Sequence, residues 1–316
     1  MRAIVTGGAG FIGSHVANEL IAAGAQVLIL DNFLTGRIVN VQDVLLAGAG
    51  LVELDIGNQD AVERAVASFR PEVIFHFAAQ VDVRSSVLAP AFDARPNIIG
   101  SINIFSAAAK LGVRRVVNAS TGGAIYGEAA VIPTTETDPA QPIAPYGLSK
   151  LAAETYAQWF RQAHGLDVVT LRFGNVYGAR QDPARGAVFA RFCEQVIRNS
   201  ALEIFGPGDA TRDYLYVADA VAVTLEVGRR ARLKHSVYNV SSGRETSVRQ
   251  LARAVAMAAG RSAENVEIRM LPARPGEVSR NCLNTSRARD EGLMCLPTAL
   301  DSGIRATLDW MREVWE

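Results

Sequence analysis

Tyr146 and Lys150 stand four residues apart in PYGLSK (145–150), and on a helix that spacing sets them on one face. An ammonium beside a phenol stabilises the phenolate. The pair therefore predicts a tyrosine drawn down toward working pH and usable as a base toward a sugar or alcohol hydroxyl. Pro145 suits the start of a helix, whose positive end adds to the effect. A second constellation, TGGAGFIGSH (6–15), places glycines at 7, 10 and 13. Between a strand and a helix this spacing cradles a dinucleotide. Gly7 permits the tight turn, Gly10 lets the backbone approach a pyrophosphate, and Gly13 allows close helix–strand packing, with the phosphates on the helix N-terminus. Asp31 closes the next strand, where a carboxylate accepts hydrogen bonds from both adenosine ribose hydroxyls and repels a 2′-phosphate. NAD is expected over NADP, although Arg37 stands where a guanidinium would meet that phosphate.

These groups need rigid elements to hold them. Apolar, β-branched runs at 3–7, 26–31, 50–56, 72–79, 114–120 and 167–176 read as strands. Segments 15–24, 97–112 and 146–165 carry apolar residues at helical spacing, and Gly24 is a C-cap candidate. Near-continuous apolar strands separated by helices predict a parallel sheet covered on both faces. The texture changes after Tyr177, where GARQDPARG (178–186) is a turn-rich loop and the remainder mixes short strands, helices and Pro/Gly turns. The expected fold is α/β: a doubly wound parallel Rossmann sheet with a smaller mixed α/β substrate-binding lobe. Residues 1–171 plus 213–236 are assigned to the NAD-binding domain, and 172–212 plus 237–316 to the second lobe. The helix at 217–228 is expected to pack back onto the first.

Among 316 residues, 49% are hydrophobic, enough to fill a core, and Lys+Arg balance Asp+Glu at 32 each. No global field draws nucleic acid or anionic membrane, and no apolar run is long enough to span a bilayer. Cys193, Cys282 and Cys295 show neither metal nor disulfide spacing, so a reducing compartment and no metal are expected. The first strand opens at Arg2, which leaves no room for a signal peptide, and a cytoplasmic protein is expected.

Taken in order and spacing, TGGAGFIGSH, DNFLTG (31–36), FHFAAQ (75–80), STGGAIYGE (120–128), PYGLSK and RDYLYVADA (212–220) resemble the extended short-chain dehydrogenase/reductase family. Within it the chain is most similar to the UDP-glucose 4-epimerases and their close relatives, over nearly its whole length. The resemblance implies that Phe11, Ile12, Asp31, Asn32 and Gly36 line the adenosine and phosphate site of NAD, and that Asp55 and Ile56 hold the adenine. Phe77, Ala78, Ala79 and Gln80 would run under the cofactor, Asn97 would touch its far side, and Phe173 joins this set. Lys150 would also bond the nicotinamide ribose. On the substrate side, Asn175 and Arg212 would hold the diphosphate, and Arg274 and Glu277 the uridine. A guanidinium fork suits a diphosphate. Relatives pair the helices equivalent to 97–111 and 146–164 into a two-fold dimer, so a homodimer is expected.

The sequence departs from the family at one place. Members usually carry Ser or Thr four residues before the tyrosine equivalent to Tyr126, and that position is Gly122. A bulge at Gly122–Gly123 would let Thr121 bond the sugar O4 and relay its proton; Ser120 or a water are the alternatives. Dehydratases and decarboxylases of the family carry an acid just after this Ser/Thr, where Gly123 and Ala124 stand here, which counts against elimination chemistry. Asn281 aligns with a bulky Tyr of glucose-restricted members. The expected activity is therefore 4-epimerisation of UDP-GlcNAc/UDP-GalNAc as well as UDP-Glc/UDP-Gal. Two alternatives stand: a UDP-glucuronate 4-epimerase or 4-keto reductase of the same fold, and a non-catalytic NAD-sensing protein.

Overall fold

The structure, a computed structural model, describes residues 1–185, 188–261, 266–273 and 278–315. Its strands in chain order are β1 (Arg2–Thr6), β2 (Gln26–Asp31), β3 (Gly50–Glu53), β4 (Val73–His76), β5 (Arg115–Thr121), β6 (Asp167–Phe173), β7 (Asn175–Tyr177), β8 (Leu202–Phe205), β9 (Thr211–Tyr216), β10 (Val237–Val240), β11 (Glu245–Ser247) and β12 (Ile268–Leu271). The helices begin with α1 (Phe11–Ala22), α2 (Gln42–Leu46), α3 (Gln59–Phe69), α4 (Val83–Leu88) and α5 (Pro90–Ala94). They continue with α6 (Ser101–Lys110), α7 (Pro145–His164), α8 (Val188–Ile197), α9 (Val217–Arg229), α10 (Val248–Ala258), α11 (Ser286–Asp290) and α12 (Leu300–Trp315).

Seven strands form one sheet in the order β3-β2-β1-β4-β5-β6-β10, and all its neighbours are parallel. Alternation along β1 shows why both faces must be covered. Ala3 and Val5 enter a core with Val16 and Leu20 of α1 and Val223 of α9, whereas Ile4 enters a second core with Val66 of α3, Phe105 of α6 and Phe160 of α7. Each fully buried aliphatic side chain contributes roughly 1.5–3 kcal/mol. The doubly wound Rossmann sheet is thus in place, and α9 does pack back onto it.

Three local differences from the sequence reading have physical causes. Val237–Val240, assigned above to the second lobe, is the edge strand of the main sheet, because Tyr238 and Val240 are buried in the core of β6. The run 167–176 breaks at Gly174, where a Cβ would lie 2.0 Å from Ser241 Oγ. Asn175 thereby leaves the main sheet and enters a three-stranded one, β11-β9-β7. Finally, the helix expected from residue 97 is already helical from Pro90. Pro96 has no N–H to give, and Arg95–Gly100 form a widened π-helical turn between α5 and α6.

The second lobe has its own core, in which Phe189 and Phe192 of α8, Ile204 of β8, Leu251 and Val255 of α10 and Leu308 of α12 are buried together. Among the described residues no helix is long and apolar enough to cross a membrane, and no cluster of His, Cys, Asp and Glu could hold a metal.

Candidate active site

The strand order reverses direction between β1 and β4, and ligands of such sheets bind outside the carboxyl ends of the strands at that point. The glycine loop leaves β1 here. Gly7 has φ +66°, and a Cβ on it would fall 2.6 Å from the Ala78 nitrogen. At Gly13 a Cβ would fall 2.3 Å from the Gly7 carbonyl oxygen, so only glycine lets α1 seat against the loop. Gly10 differs: a Cβ there meets only the Gly7 oxygen, at 3.1 Å, and otherwise points into open space. Gly10 is also the N-cap of α1, with no side-chain cap. Open space in front of an uncapped helix N-terminus, at Phe11 and Ile12, fits a pyrophosphate.

Asp31 lies across the loop. Its carboxylate accepts the N–H groups of Ala9 and Phe33, each at 2.9 Å, and Gly36 passes so close that a Cβ would lie 2.8 Å from Asp31 Oδ1. This locks the acid at the end of β2, where the adenosine ribose is expected. Asn32 is exposed and makes an Asx turn to the Leu34 nitrogen, and Arg37 is exposed beside it. Asp55 turns back onto the Gly57 nitrogen, the Ile56 side chain packs over Gly100 and the Ile56 carbonyl accepts from Asn103 Nδ2 at 2.8 Å, which leaves the Ile56 N–H as the part able to meet an adenine. Phe77, Ala78 and Ala79 are partly open at the end of β4, with Phe77 stacked on buried Phe173 at 6.4 Å. The glycine cradle, the locked acid and this open floor fit NAD.

Asn97 is placed differently from the expectation. It is fully buried; its Oδ1 accepts the Gln80 N–H at 2.9 Å and its Nδ2 donates to the Gln80 carbonyl at 2.9 Å. It clamps the cofactor loop from beneath. A proton chain continues the clamp: Ser101 Oγ donates to the Asn97 carbonyl, so His76 Nε2–H donates to Ser101 and His76 Nδ1 accepts from Thr6. Thr6 Oγ1 in turn accepts the Ala78 N–H. Burial pushes the His76 pKa down to about 3 and keeps the ring neutral for this role.

α7 carries the catalytic candidates. Ala144 is its extended N-cap and Pro145 opens its first turn, which presents Tyr146 and, one turn on, buried Lys150 at the end of β5. Thr121 lies beside the Tyr146 hydroxyl and favours the phenolate, but burial and the charge of Asp93 act more strongly, and the phenol is pushed up to about 12. The expectation that the protein's own charges draw Tyr146 down is therefore corrected: loss of water around the phenol outweighs the help it receives. Burial likewise pushes Lys150 down to about 8, against Glu154 and Asp93, which hold its charge. Ser120, one of the relay candidates, is committed elsewhere; its hydroxyl donates to Glu154 at 2.5 Å. Glu154 belongs to none of the motifs. It pairs with Arg172 in the interior, and Arg172 in turn donates to the Tyr126 hydroxyl at 2.8 Å.

Opposite Tyr146, the bulge at Gly122–Gly123 is lined from the second lobe. A Cβ on Gly122 would collide with Leu283, and one on Gly123 would sit 3.3 Å from Asn175 Oδ1. Asn281 Nδ2 donates to the Gly122 carbonyl at 2.9 Å. The amide oxygens of Asn175 and Asn281 are both buried without a partner among the described residues. Two unpaired acceptors on adjoining glycines are a place for ligand hydroxyls, because such atoms are costly to bury alone. Arg212, on β9 two residues before Tyr214, the register partner of Asn175 on β7, donates to the Thr211 carbonyl and forms no ion pair among the described residues, leaving its charge for an anion. Arg274 and Glu277 lie outside the described residues.

This arrangement has close counterparts. Residues 3–241 match the model of the NAD dependent epimerase/dehydratase family. A UDP-glucose 4-epimerase of Mycolicibacterium smegmatis is 39% identical over 314 residues, 99% of each chain. Among solved structures, the UDP-glucose 4-epimerase of Thermotoga maritima with UDP-glucose superposes with a TM-score of 0.95 at 38% identity over 100% of both chains. That of Thermus thermophilus, in complex with NAD, gives 0.91 at 38% identity over 99% of both. The crevice of glycines, Asp31, Tyr146 and Lys150 thus has a family around it: the chain belongs to the NAD dependent epimerase/dehydratases.

Proposed function

We propose that this protein is a UDP-sugar 4-epimerase that uses NAD as a retained group. The observation that carries the reading is the Thr121 side chain set beside the Tyr146 hydroxyl, next to a glycine pair bare of any acid. A hydroxyl and a phenol can move a proton at a sugar O4, while nothing at Gly123 or Ala124 can drive elimination of a neighbouring hydroxyl. Bound NAD supplies the hydride acceptor and a positively charged ring. Tyr146, relayed by Thr121, accepts the O4 proton as C4 is oxidised, and returns it when C4 is reduced from the other face. Lys150 holds the cofactor ribose and the positive field at the phenol. Between the two steps the 4-keto ring turns, and Arg212 and Asn175 keep the diphosphate anchored; Arg274 and Glu277 are assigned to the uridine end. Positioning supplies much of the rate.

The sugar preference is read from Asn281. It is buried against the Gly122 carbonyl, at the position where the resemblance places a bulky Tyr in glucose-restricted members, and the shorter side chain is taken to admit an N-acetyl group. Wild-type protein should interconvert both UDP-Glc/UDP-Gal and UDP-GlcNAc/UDP-GalNAc with no net consumption of nicotinamide. Asn281→Tyr should lower kcat/KM for the N-acetylated pair by about 10-fold or more relative to the plain pair. An unchanged ratio would remove Asn281 as the selector.

A second copy of the chain is the proposed partner. Val87 and Leu88 of α4, Phe92 of α5, Ile99, and Leu148 and Trp159 of α7 are at least about half exposed, on elements that pack together at one side of the sheet. Contiguous apolar surface of this kind marks an interface. Light scattering at micromolar concentration should give a dimer mass; a monomer would contradict the proposal.

A further inference from the structure

Asp93 is a buried carboxylate outside every motif discussed above. It sits on α5, 1% exposed, just before the π-helical turn. Oδ1 accepts from Gln80 Nε2 at 2.9 Å and from Asn97 Nδ2 at 3.1 Å. Oδ2 lies 2.6 Å from the hydroxyl of Ser149, which falls between Tyr146 and Lys150 on α7. The same hydroxyl is 3.0 Å from the Tyr146 carbonyl. It has one proton, and the nearer, charged acceptor takes it. Gln80 closes the cofactor loop, so one carboxylate ties that loop to the turn bearing both catalytic candidates.

The charge itself calls for a reason. Three neutral donors satisfy Asp93, and no ion pair compensates it among the described residues. Burying an unpaired carboxylate is costly. An asparagine would cost less and would fit: its oxygen would accept from Gln80 and Asn97, and its amide would donate to Ser149, whose proton would swing to the Tyr146 carbonyl. The groups that face the charge explain its retention. Lys150 of α7 is buried and held charged by Asp93 and Glu154, and His76 of β4 is neutral. Arg172 of β6 is taken by Glu154, Arg95 of the π-turn reaches Asp55, and Arg84 of α4 is exposed.

We propose that Asp93 is a positioning residue: it fixes the Tyr146–Lys150 turn against the cofactor loop through Ser149, and its charge keeps Lys150 an ammonium. The inference rests on Tyr146 and Lys150 being the catalytic pair. Asp93 also opposes ionisation of Tyr146, so removing its charge shifts both groups the same way.

Asp93→Asn, made in the full chain with NAD bound, isolates the charge. The whole pH profile of kcat/KM, both limbs, should move to lower pH by about half a unit or more, with KM for the UDP-sugar within about twofold. Ser149→Ala isolates the tether. Its kcat should fall about 10- to 100-fold with the limbs unmoved. A profile of Asp93→Asn that overlays the wild type overturns the electrostatic role. If Asp93→Asn does not fold, Ser149→Ala decides: a kcat within about twofold of wild type overturns the proposal. Failure of the catalytic pair itself would show differently, as turnover retained by Tyr146→Phe whatever Asp93 does.

Discussion

Tyr146→Phe should lower kcat by about 10²- to 10⁴-fold, the span that a positioned acid–base group contributes. The ring still packs at the start of α7, and only the hydroxyl that meets Thr121 is lost. NAD should stay bound, because the glycine cradle and Asp31 do not depend on that hydroxyl. The loss should therefore appear in kcat, with cofactor content of the purified protein unchanged. Residual activity within about tenfold of wild type would assign the proton transfer to another group. The upward push on the phenol sharpens this expectation. Burial and the charge of Asp93 hold Tyr146 protonated at neutral pH against the help of Thr121, so the proposed base role calls for further positive charge at the phenol, which Lys150 and bound NAD would supply.

Glu154→Ala should destabilise the protein by about 3–5 kcal/mol, read from the denaturant midpoint of urea unfolding at constant m. Glu154 and Arg172 are 7% and 9% exposed, and the bond from Arg172 Nη2 to Glu154 Oε2 is 2.7 Å. Removing the acid leaves a buried guanidinium with no carboxylate bonded to it, held by the Tyr126 hydroxyl and ring and by a long bond to the Glu136 carbonyl, and leaves Ser120 without its acceptor. A loss below about 1 kcal/mol, the worth of an exposed pair, would show that the pair is solvated or replaceable. The same network explains the choice between relay residues. Two adjacent hydroxyls, Ser120 and Thr121, alternate along β5, so they point to opposite faces of the sheet. One serves the interior ion pair and the other meets Tyr146.

The parts of the site visible in the sequence are those whose chemistry is local. Glycines at 7, 10 and 13, the acid at 31 and the four-residue step from Tyr146 to Lys150 lie within single strand–turn–helix units, where spacing translates directly into geometry. Asp93, Glu154 and Asn97 act through partners on other elements, and no one-dimensional pattern joins Asp93 to Ser149 56 residues away. A signal does exist: Asp93 and Asn97 are one helical step apart, but Pro96 reads as a helix boundary and hides that face. β10 is hard to place for a similar reason. Four residues carry too little pattern to say which sheet they join, and pairing with β6 decides it. The phenol is the most instructive case. The Lys150 spacing suggests a lowered pKa, yet desolvation is a property of the packed site and cannot be counted from spacing.

The central claim is that the C4 hydrogen leaves the sugar and returns to it within one active-site visit. A UDP-sugar carrying deuterium at C4 tests this most directly, with the product analysed after equilibration in ordinary water. Retention of the label at C4 of both epimers is the predicted result. Label lost to solvent, or found only when reduced nicotinamide is added, would contradict it.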